Sequence, residues 1–431
     1  MIKNIPHKFY LPIFLIISIA PFWDSLYFGL FNEKRASQIA LLILCIPYLI
    51  SSNISDSKNK NIIYLLLTFS LISVFHSENP FYSLLILLHI FMLTALIKLG
   101  ISQKDLELPL FITSIILSIF SSGMFFLNYF FYLYNNTDFF IDGVFSGFYN
   151  IRFFNHFQVI CVCFSLYLLM NKNFKSITAI SLVLNFLIIM ISSARGASLA
   201  IIIIIFIGAY MKIINREVLN KVFWLFIFSL FLFIIYILTE PVSLTRDSLF
   251  RETSSGRLAL WEDVIRSFNF KTILFGNGAG TFKSDSYGVS HPHNSVISLL
   301  FDWGAIVTLL ILYLLFNLIS ESLDYLKFKK DNNTFNCCFL TFLALLSLSL
   351  VSGITIMPIP QTFLFILAGL IIKELRKTNK SVRISINKVI FIYAVALIYF
   401  ILSMISFNCQ SHIPSGPNFW ANGQVFLSSC Q

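Results

Sequence analysis

The sequence predicts an all-α polytopic integral membrane protein of about 12–13 transmembrane helices, and three observations predict it. Of 431 residues 57% are hydrophobic and only 12% charged, with a mean hydropathy of +0.83. A soluble domain carries about 25% charged residues, so this chain lacks the polar groups to cover a water-facing surface. The same hydrophobicity excludes intrinsic disorder. The apolar residues also form continuous runs, such as 199–210 and 223–238, whereas a β-barrel would alternate apolar and polar residues over about ten positions.

In chain order the runs place spans at 9–31, 36–52, 61–75, 82–99, 107–128, 156–171, 177–193, 197–211, 222–239, 294–318, 336–356, 361–373 and 389–406. The first resembles a signal peptide, with Lys3 and Lys8 ahead of it and small residues at Ser18 and Ala20. Pro21 disfavours cleavage and a membrane domain follows, so it reads as an uncleaved helix. Several runs fall short of the ~20 residues a spanning helix needs, so their ends must extend into polar neighbours.

Positive charge sets the orientation. With the N-terminus in the cytoplasm, 20 of the 30 Lys and Arg residues fall in cytoplasmic segments. The outer loops keep Lys34, Arg35, Arg152, Arg195 and six more within 240–293, a length at which the positive-inside rule relaxes. The net charge of +10 is thus a matter of topology, and no nucleic-acid partner is expected. The organisation that follows is 1–239, N-terminal helices with a smaller periplasmic loop near 129–155; 240–293, a large periplasmic loop; 294–406, C-terminal helices; and 407–431, a short periplasmic tail. Of the seven cysteines, five lie in or beside apolar runs. Cys409 and Cys430 flank the turn-rich tail and are expected to pair in an oxidising compartment.

The motifs of ATP hydrolysis, zinc proteolysis and serine hydrolysis are missing, and no cysteine or histidine spacing suits a metal. No metal or cofactor is expected. Ionisable residues are scarce within the spans, which weakens a transporter reading. The informative polar residues gather on the outer side. Arg195 lies in Ser192-Ser193-Ala194-Arg195-Gly196 between two apolar runs, where a guanidinium must either snorkel or meet an anion. Arg257 and Trp261 share one face of a short helix, and Gly276, Gly278 and Gly280 form a flexible loop able to bring backbone amides to a phosphate. His293-Asn294 precedes an apolar helix, with His291 and His156 as the nearby alternatives to His293 as a base. Taken singly, each has an ordinary structural explanation: a snorkelling cap, a solvated amphipathic helix, a Gly turn, an interfacial histidine. Together they have a mechanism. Arginine stays charged and grips phosphate with two parallel N–H groups, while a neutral histidine can take the proton of an attacking hydroxyl.

Three stretches carry a resemblance to the O-antigen ligase family, which includes O-antigen polymerases and protein O-oligosaccharyltransferases. They are Ser193-Ala194-Arg195-Gly196-Ala197; Arg257-Leu258-Ala259-Leu260-Trp261 followed by Gly276-Asn277-Gly278; and His293-Asn294, nine residues, then Gly304. The resemblance implies a GT-C-like membrane enzyme that takes a glycan from undecaprenyl diphosphate on the periplasmic side of the inner membrane, without metal or nucleotide. By motif, Arg195 and Arg257 would hold the diphosphate and His293 would activate the acceptor, with Trp261, Gly276, Gly278 and Asn294 as further substrate-binding residues. In ligases the acceptor is a sugar of lipid A-core. A polymerase would instead extend the lipid-linked glycan, but its Arg-x10-Gly signature is missing, since Phe206 and Phe268 stand where the glycine would be. A protein O-oligosaccharyltransferase usually adds a periplasmic domain that a 25-residue tail cannot form, and typical ligases have about twelve spans with both termini inside. A lipid-linked glycan flippase, the alternative from a different class, would need midplane charge.

Overall fold

The computed structural model describes residues 7–19, 29–51, 60–135, 148, 150–171, 174–239, 256–284, 289–329, 331–376, 386–409 and 416–423. Among them there are helices and no strands. A 3-10 turn leads into α1 (Tyr10–Ile19), followed by α2 (Leu30–Leu44), α3 (Ile46–Ser51), α4 (Lys60–His76), α5 (Pro80–Ser102), α6 (Glu107–Asn135), α7 (Ile151–Met170) and α8 (Lys175–Ile191). Then come α9 (Arg195–Tyr210), α10 (Arg216–Thr239), α11 (Arg257–Arg266), α12 (Phe270–Phe275), α13 (Ser295–Phe328), α14 (Asn333–Ser349), α15 (Pro358–Leu375) and α16 (Ile386–Asn408).

Each of the thirteen apolar runs meets a helix, and the chain is an all-α polytopic membrane protein. Seven helices (α5, α6, α7, α10, α13, α15 and α16) are long and apolar enough to cross a bilayer, and the remaining apolar helices are shorter. The run 9–31 is not one helix within the described residues: α1 stops at Ile19, and Glu33, Lys34 and Arg35, read as outer loop, lie within α2. Lys34 and Arg35 are buried there. The Lys34 ammonium donates to Leu30 O at 3.2 Å and lies over the Phe148 ring, and the Arg35 guanidinium lies over Phe31. Helical hydrogen bonding and cation–π contact thus offset part of the cost of burying the two charges. The loop expected at 129–155 is also shorter, because α6 runs to Asn135 and α7 begins at Ile151.

The chain divides into two compact units. The first comprises Met1–Ser37, Gln103–Glu252 and Leu326–Leu348. Here α7 is the central helix, buried along most of its length. A polar seam ties it to its neighbours: Ser118 Oγ donates to Asn185 Oδ1 at 2.8 Å, Asn185 Nδ2 donates to Ser181, and Ser165 Oγ donates to Ser181 Oγ at 3.0 Å. Between apolar helices such bonds set register, because a slipped helix would strand the same groups in hydrocarbon. By contrast α10 exposes Phe223, Trp224, Phe228 and Phe231, a face suited to lipid.

The second unit comprises Gln38–Ser102, Thr253–Tyr325 and Ser349–Gln431. Its most extensively packed helix pair among the described residues is α5 with α15. A Cβ placed on Gly369 would lie 2.3 Å from Ile97 O, and one on Gly100 would lie 2.9 Å from Ile366 O. The two backbones meet through glycines, as small-residue interfaces allow.

Candidate functional site

Both arginines singled out by the sequence open a helix. Arg195 is the first residue of α9 and Arg257 the first of α11. Neither helix has a side-chain cap: Ala194 and Gly256 occupy the capping positions without accepting a hydrogen bond. A cation at a helix N-terminus opposes the helix dipole, and the first-turn N–H groups there want an acceptor. One anion shared by the guanidinium and the helix start resolves both.

The Arg195 end, in the first unit, is built by a sharp break. Helix α8 closes with Ser193 N–H donating to Met190 O at 3.0 Å and Ala194 N–H to Ile189 O at 3.2 Å, and Ser193 takes a left-handed φ of 51°. Helix α9 then starts at once, with Arg195 exposed. Asn155 on α7 holds the break in place by donating to Ser192 Oγ at 3.0 Å. Asn155 was not singled out from the sequence, where an asparagine inside an apolar helix carries no motif.

The remaining candidates lie in the second unit. Helix α11 buries Leu260 and Val264, one turn apart, and Val264 packs with Phe282 and Phe301. Asp263 on the same helix accepts from Ser284 Oγ at 2.6 Å. This seating aims Trp261 so that its Nε1 donates to Pro292 O at 2.9 Å. The helix that begins with Arg257 is therefore bonded to the segment that carries His291 and His293.

That segment is tightly specified. Asn294 caps α13, its Oδ1 accepting from Val296 N at 2.9 Å and Ile297 N at 3.0 Å. His293, half-buried, sits just ahead in a left-handed conformation, φ 54°. Its N–H donates to His291 Nδ1 at 3.4 Å, and the two rings meet edge to face at 4.1 Å. Burial pushes the His291 imidazole down to about 4, so the ring is neutral at pH 7, with Nδ1 accepting and the proton on Nε2. That nitrogen points toward Gly353, where an added Cβ would stand 3.2 Å away. His291 thus emerges as the residue that orients His293, a role its sequence neighbourhood hinted at only by proximity.

The glycines have a role different from the one expected. Within α13 the backbone leaves helical geometry at Gly304, φ 77° and ψ 175°. The carbonyls one turn back accept from the Gly loop: Asn277 N–H donates to Phe301 O at 2.8 Å and Gly278 N–H to Asp302 O at 3.1 Å. Gly276 N–H closes α12 on Thr272 O at 2.8 Å. The amides of Gly276, Asn277 and Gly278 are thus taken by main chain, and that of Gly280 by the Asp302 carboxyl. A Cβ on Gly304 would lie 2.3 Å from Leu274 O and one on Gly276 only 2.4 Å from Asp302 O, so the two glycines are required by mutual close approach. From α4, Ser73 Oγ also donates to Asp302 O at 2.7 Å. The junction of α4 and α5 supports the loop further, with Ser83 Oγ donating to Ala279 O at 2.9 Å and Ser77 filling the space beside Gly278. Ser73, Ser77 and Ser83 lie some 200 residues upstream and could not be linked to the loop by spacing.

Among the described residues no three His, Cys, Asp or Glu side chains gather as they would around a metal ion. Cys409 is disulfide-bonded, whereas Cys45, Cys161, Cys163, Cys337 and Cys338 are free thiols; Cys430 lies outside the described residues. The family model described as O-antigen ligase matches residues 180–312, a stretch that contains Arg195, Arg257, Trp261, Gly276, Gly278, His293, Asn294 and Gly304. No curated protein matches the chain.

Proposed function

We propose that this chain, which carries a segment of the O-antigen ligase family in residues 180–312 and is a multi-pass membrane protein, is a glycosyltransferase acting as an O-antigen ligase on the periplasmic face of the bacterial inner membrane. The donor is a glycan on undecaprenyl diphosphate and the acceptor a sugar hydroxyl of lipid A-core. His293 takes the proton as the acceptor oxygen attacks the anomeric carbon. The bond from that carbon to the diphosphate oxygen breaks, and undecaprenyl diphosphate leaves with the electron pair. Arg195 and Arg257 balance the charge of the diphosphate, and no step requires a metal or nucleotide. Trp261 and Asn294 serve the step indirectly, one by bonding the His segment and the other by capping the helix behind it.

One observation carries this reading: the bond from Trp261 to Pro292 O, which joins the helix opened by Arg257 to the segment of the base. An anion-binding helix start bonded to the segment of an imidazole whose backbone is held in place is what transfer from a diphosphate carrier needs. The disulfide at Cys409 supports an oxidising compartment for that end of the chain.

Lipopolysaccharide electrophoresis of a deletion strain tests the acceptor. Core-only lipopolysaccharide with polymer retained on the carrier lipid is the expected result. Core bearing one repeat unit would assign a polymerase instead, and normal lipopolysaccharide with a lost protein glycoform would assign protein glycosylation. Transfer from purified lipid-linked donor, with no nucleotide added, is expected to survive EDTA; if chelation abolishes it, the proposed chemistry is wrong.

A further inference from the structure

The last described stretch of the chain, 416–423, folds back onto the segment just ahead of the two histidines. Ser290 Oγ donates to Gly416 O at 2.7 Å, and Asn418 Nδ2 donates to Ser290 O at 3.3 Å. The approach is close enough that a Cβ on Gly423 would stand 2.2 Å from Ser290 Oγ. The stretch is itself a compact turn, with Asn418 N–H and Gly423 N–H both donating to Trp420 O.

Its anchors lie on two membrane helices of the same unit. Tyr82 on α5 accepts from Phe419 N–H at 3.1 Å and donates to Gly423 O at 3.0 Å. Trp420, almost fully buried, donates from Nε1 to Ser406 Oγ at 2.8 Å and packs on Phe407 of α16, while Phe419 meets the His89 ring edge-on. Cys409, where the tail begins, is tied by its disulfide. The aromatic anchors alone would cover the ends of α5 and α16. The two bonds to Ser290 do something more, since they fix the main chain one residue before His291, whose Nδ1 in turn holds the His293 amide. A non-glycine residue in left-handed backbone, as His293 is, keeps that conformation only where its surroundings impose it.

We propose that 416–423 is a positioning element of the transfer site, with Asn418 and Ser290 as positioning residues that lock the segment from which His293 meets the acceptor hydroxyl. The proposal rests on His293 being the base. It requires the tail to govern turnover and leave donor binding alone, because the diphosphate is held by Arg195 and Arg257.

The test uses the full chain in membranes, with purified undecaprenyl-diphosphate-linked glycan as donor and lipid A-core as acceptor, and turnover normalised to folded protein by size-exclusion profile. Asn418→Ala and Ser290→Ala are each expected to lower kcat roughly three- to tenfold, the usual effect of one hydrogen bond, with donor KM unchanged. The double variant is expected to be worse than either single one, because Ser290→Ala removes the bond to Gly416 O and Asn418→Ala the separate bond to the Ser290 carbonyl. Gly423→Ala, which retains every hydrogen-bonding group but drives a methyl into Ser290, should show the same split. Wild-type kcat per folded enzyme in Asn418→Ala and Gly423→Ala would overturn the proposal, as would a raised donor KM with unchanged kcat. His293→Ala is run alongside: if it stays active, the base assignment itself fails; if it is inactive, the tail variants judge the tail alone.

Discussion

Two helix starts, that of α9 in one unit and that of α13 in the other, share a local design and differ in what surrounds it. Each is preceded, two residues before the first helical position, by a non-glycine residue in left-handed backbone: Ser193 before Arg195, and His293 before Ser295. The α9 start has no side-chain cap and presents an exposed arginine. The α13 start is capped by Asn294, bonded by Trp261 through Pro292, propped by His291 and reached by the tail through Ser290. The difference matches two chemical demands. Charge falls off slowly with distance, so a diphosphate grip tolerates an open, adaptable cation. A general base must stand within hydrogen-bond reach of the proton it takes, so its backbone has to be over-determined.

The comparison is broken most directly by removing His293, the proposed base. His293→Ala is expected to lower transfer by about 10²- to 10⁴-fold while leaving the protein folded and inserted, read as glycan transfer at matched expression. A small effect would make the scaffolded start no more important than the open one.

The buried prop gives the α13 start a pH signature. His291 falls from 6.5 to about 4 on folding, so below pH 6.5 the unfolded chain binds the extra proton first. Stability from its burial is complete above pH 6.5, declines as pH falls toward 4, and amounts to about 3 kcal/mol in all. Thermal unfolding of the detergent-solubilised protein should show the decline, and His291→Asn should flatten it. An unchanged slope in the variant would remove His291 as the origin.

Arg195→Lys and Arg257→Lys retain charge but lose the forked donor, and each is expected to weaken donor use by about tenfold, or ~1.5 kcal/mol, seen in donor KM or kcat/KM. Full activity with lysine at both positions would reduce the two arginines to general electrostatics. The smallest effect sharpens the contrast further: Trp261→Phe keeps the ring but loses the bond to Pro292, costing about 1 kcal/mol, or some fivefold in kcat. If Trp261→Phe matches wild type, the tie between α11 and the His segment is packing alone.

Much of this was legible in the sequence. Each of the thirteen apolar runs holds helix among its described residues, although 9–31 and 36–52 are not single helices, since a stretch without polar side chains has no way to satisfy its backbone in a bilayer except by coiling on itself. Arg195 and His293 stood out as candidates because polar residues at the edges of apolar runs are conspicuous, and Arg257 by its spacing to Trp261; their roles belong to the proposed mechanism. Misplaced were Lys34 and Arg35, assigned to a loop by their charge and found buried in α2, where Phe148 and Phe31 receive them.

Composition and local pattern, then, determined the helices and the residues available for chemistry, because hydropathy is summed over neighbours in the chain. Only the tertiary structure decided that Gly304 and Gly276 exist for each other, that Ser73 and Ser83 support the Gly loop, and that Asn418 reaches Ser290 across 128 positions. These are contacts of van der Waals or hydrogen-bond range between residues far apart in sequence. Their meaning depends on which backbones pack together, and no periodicity in a single chain encodes that.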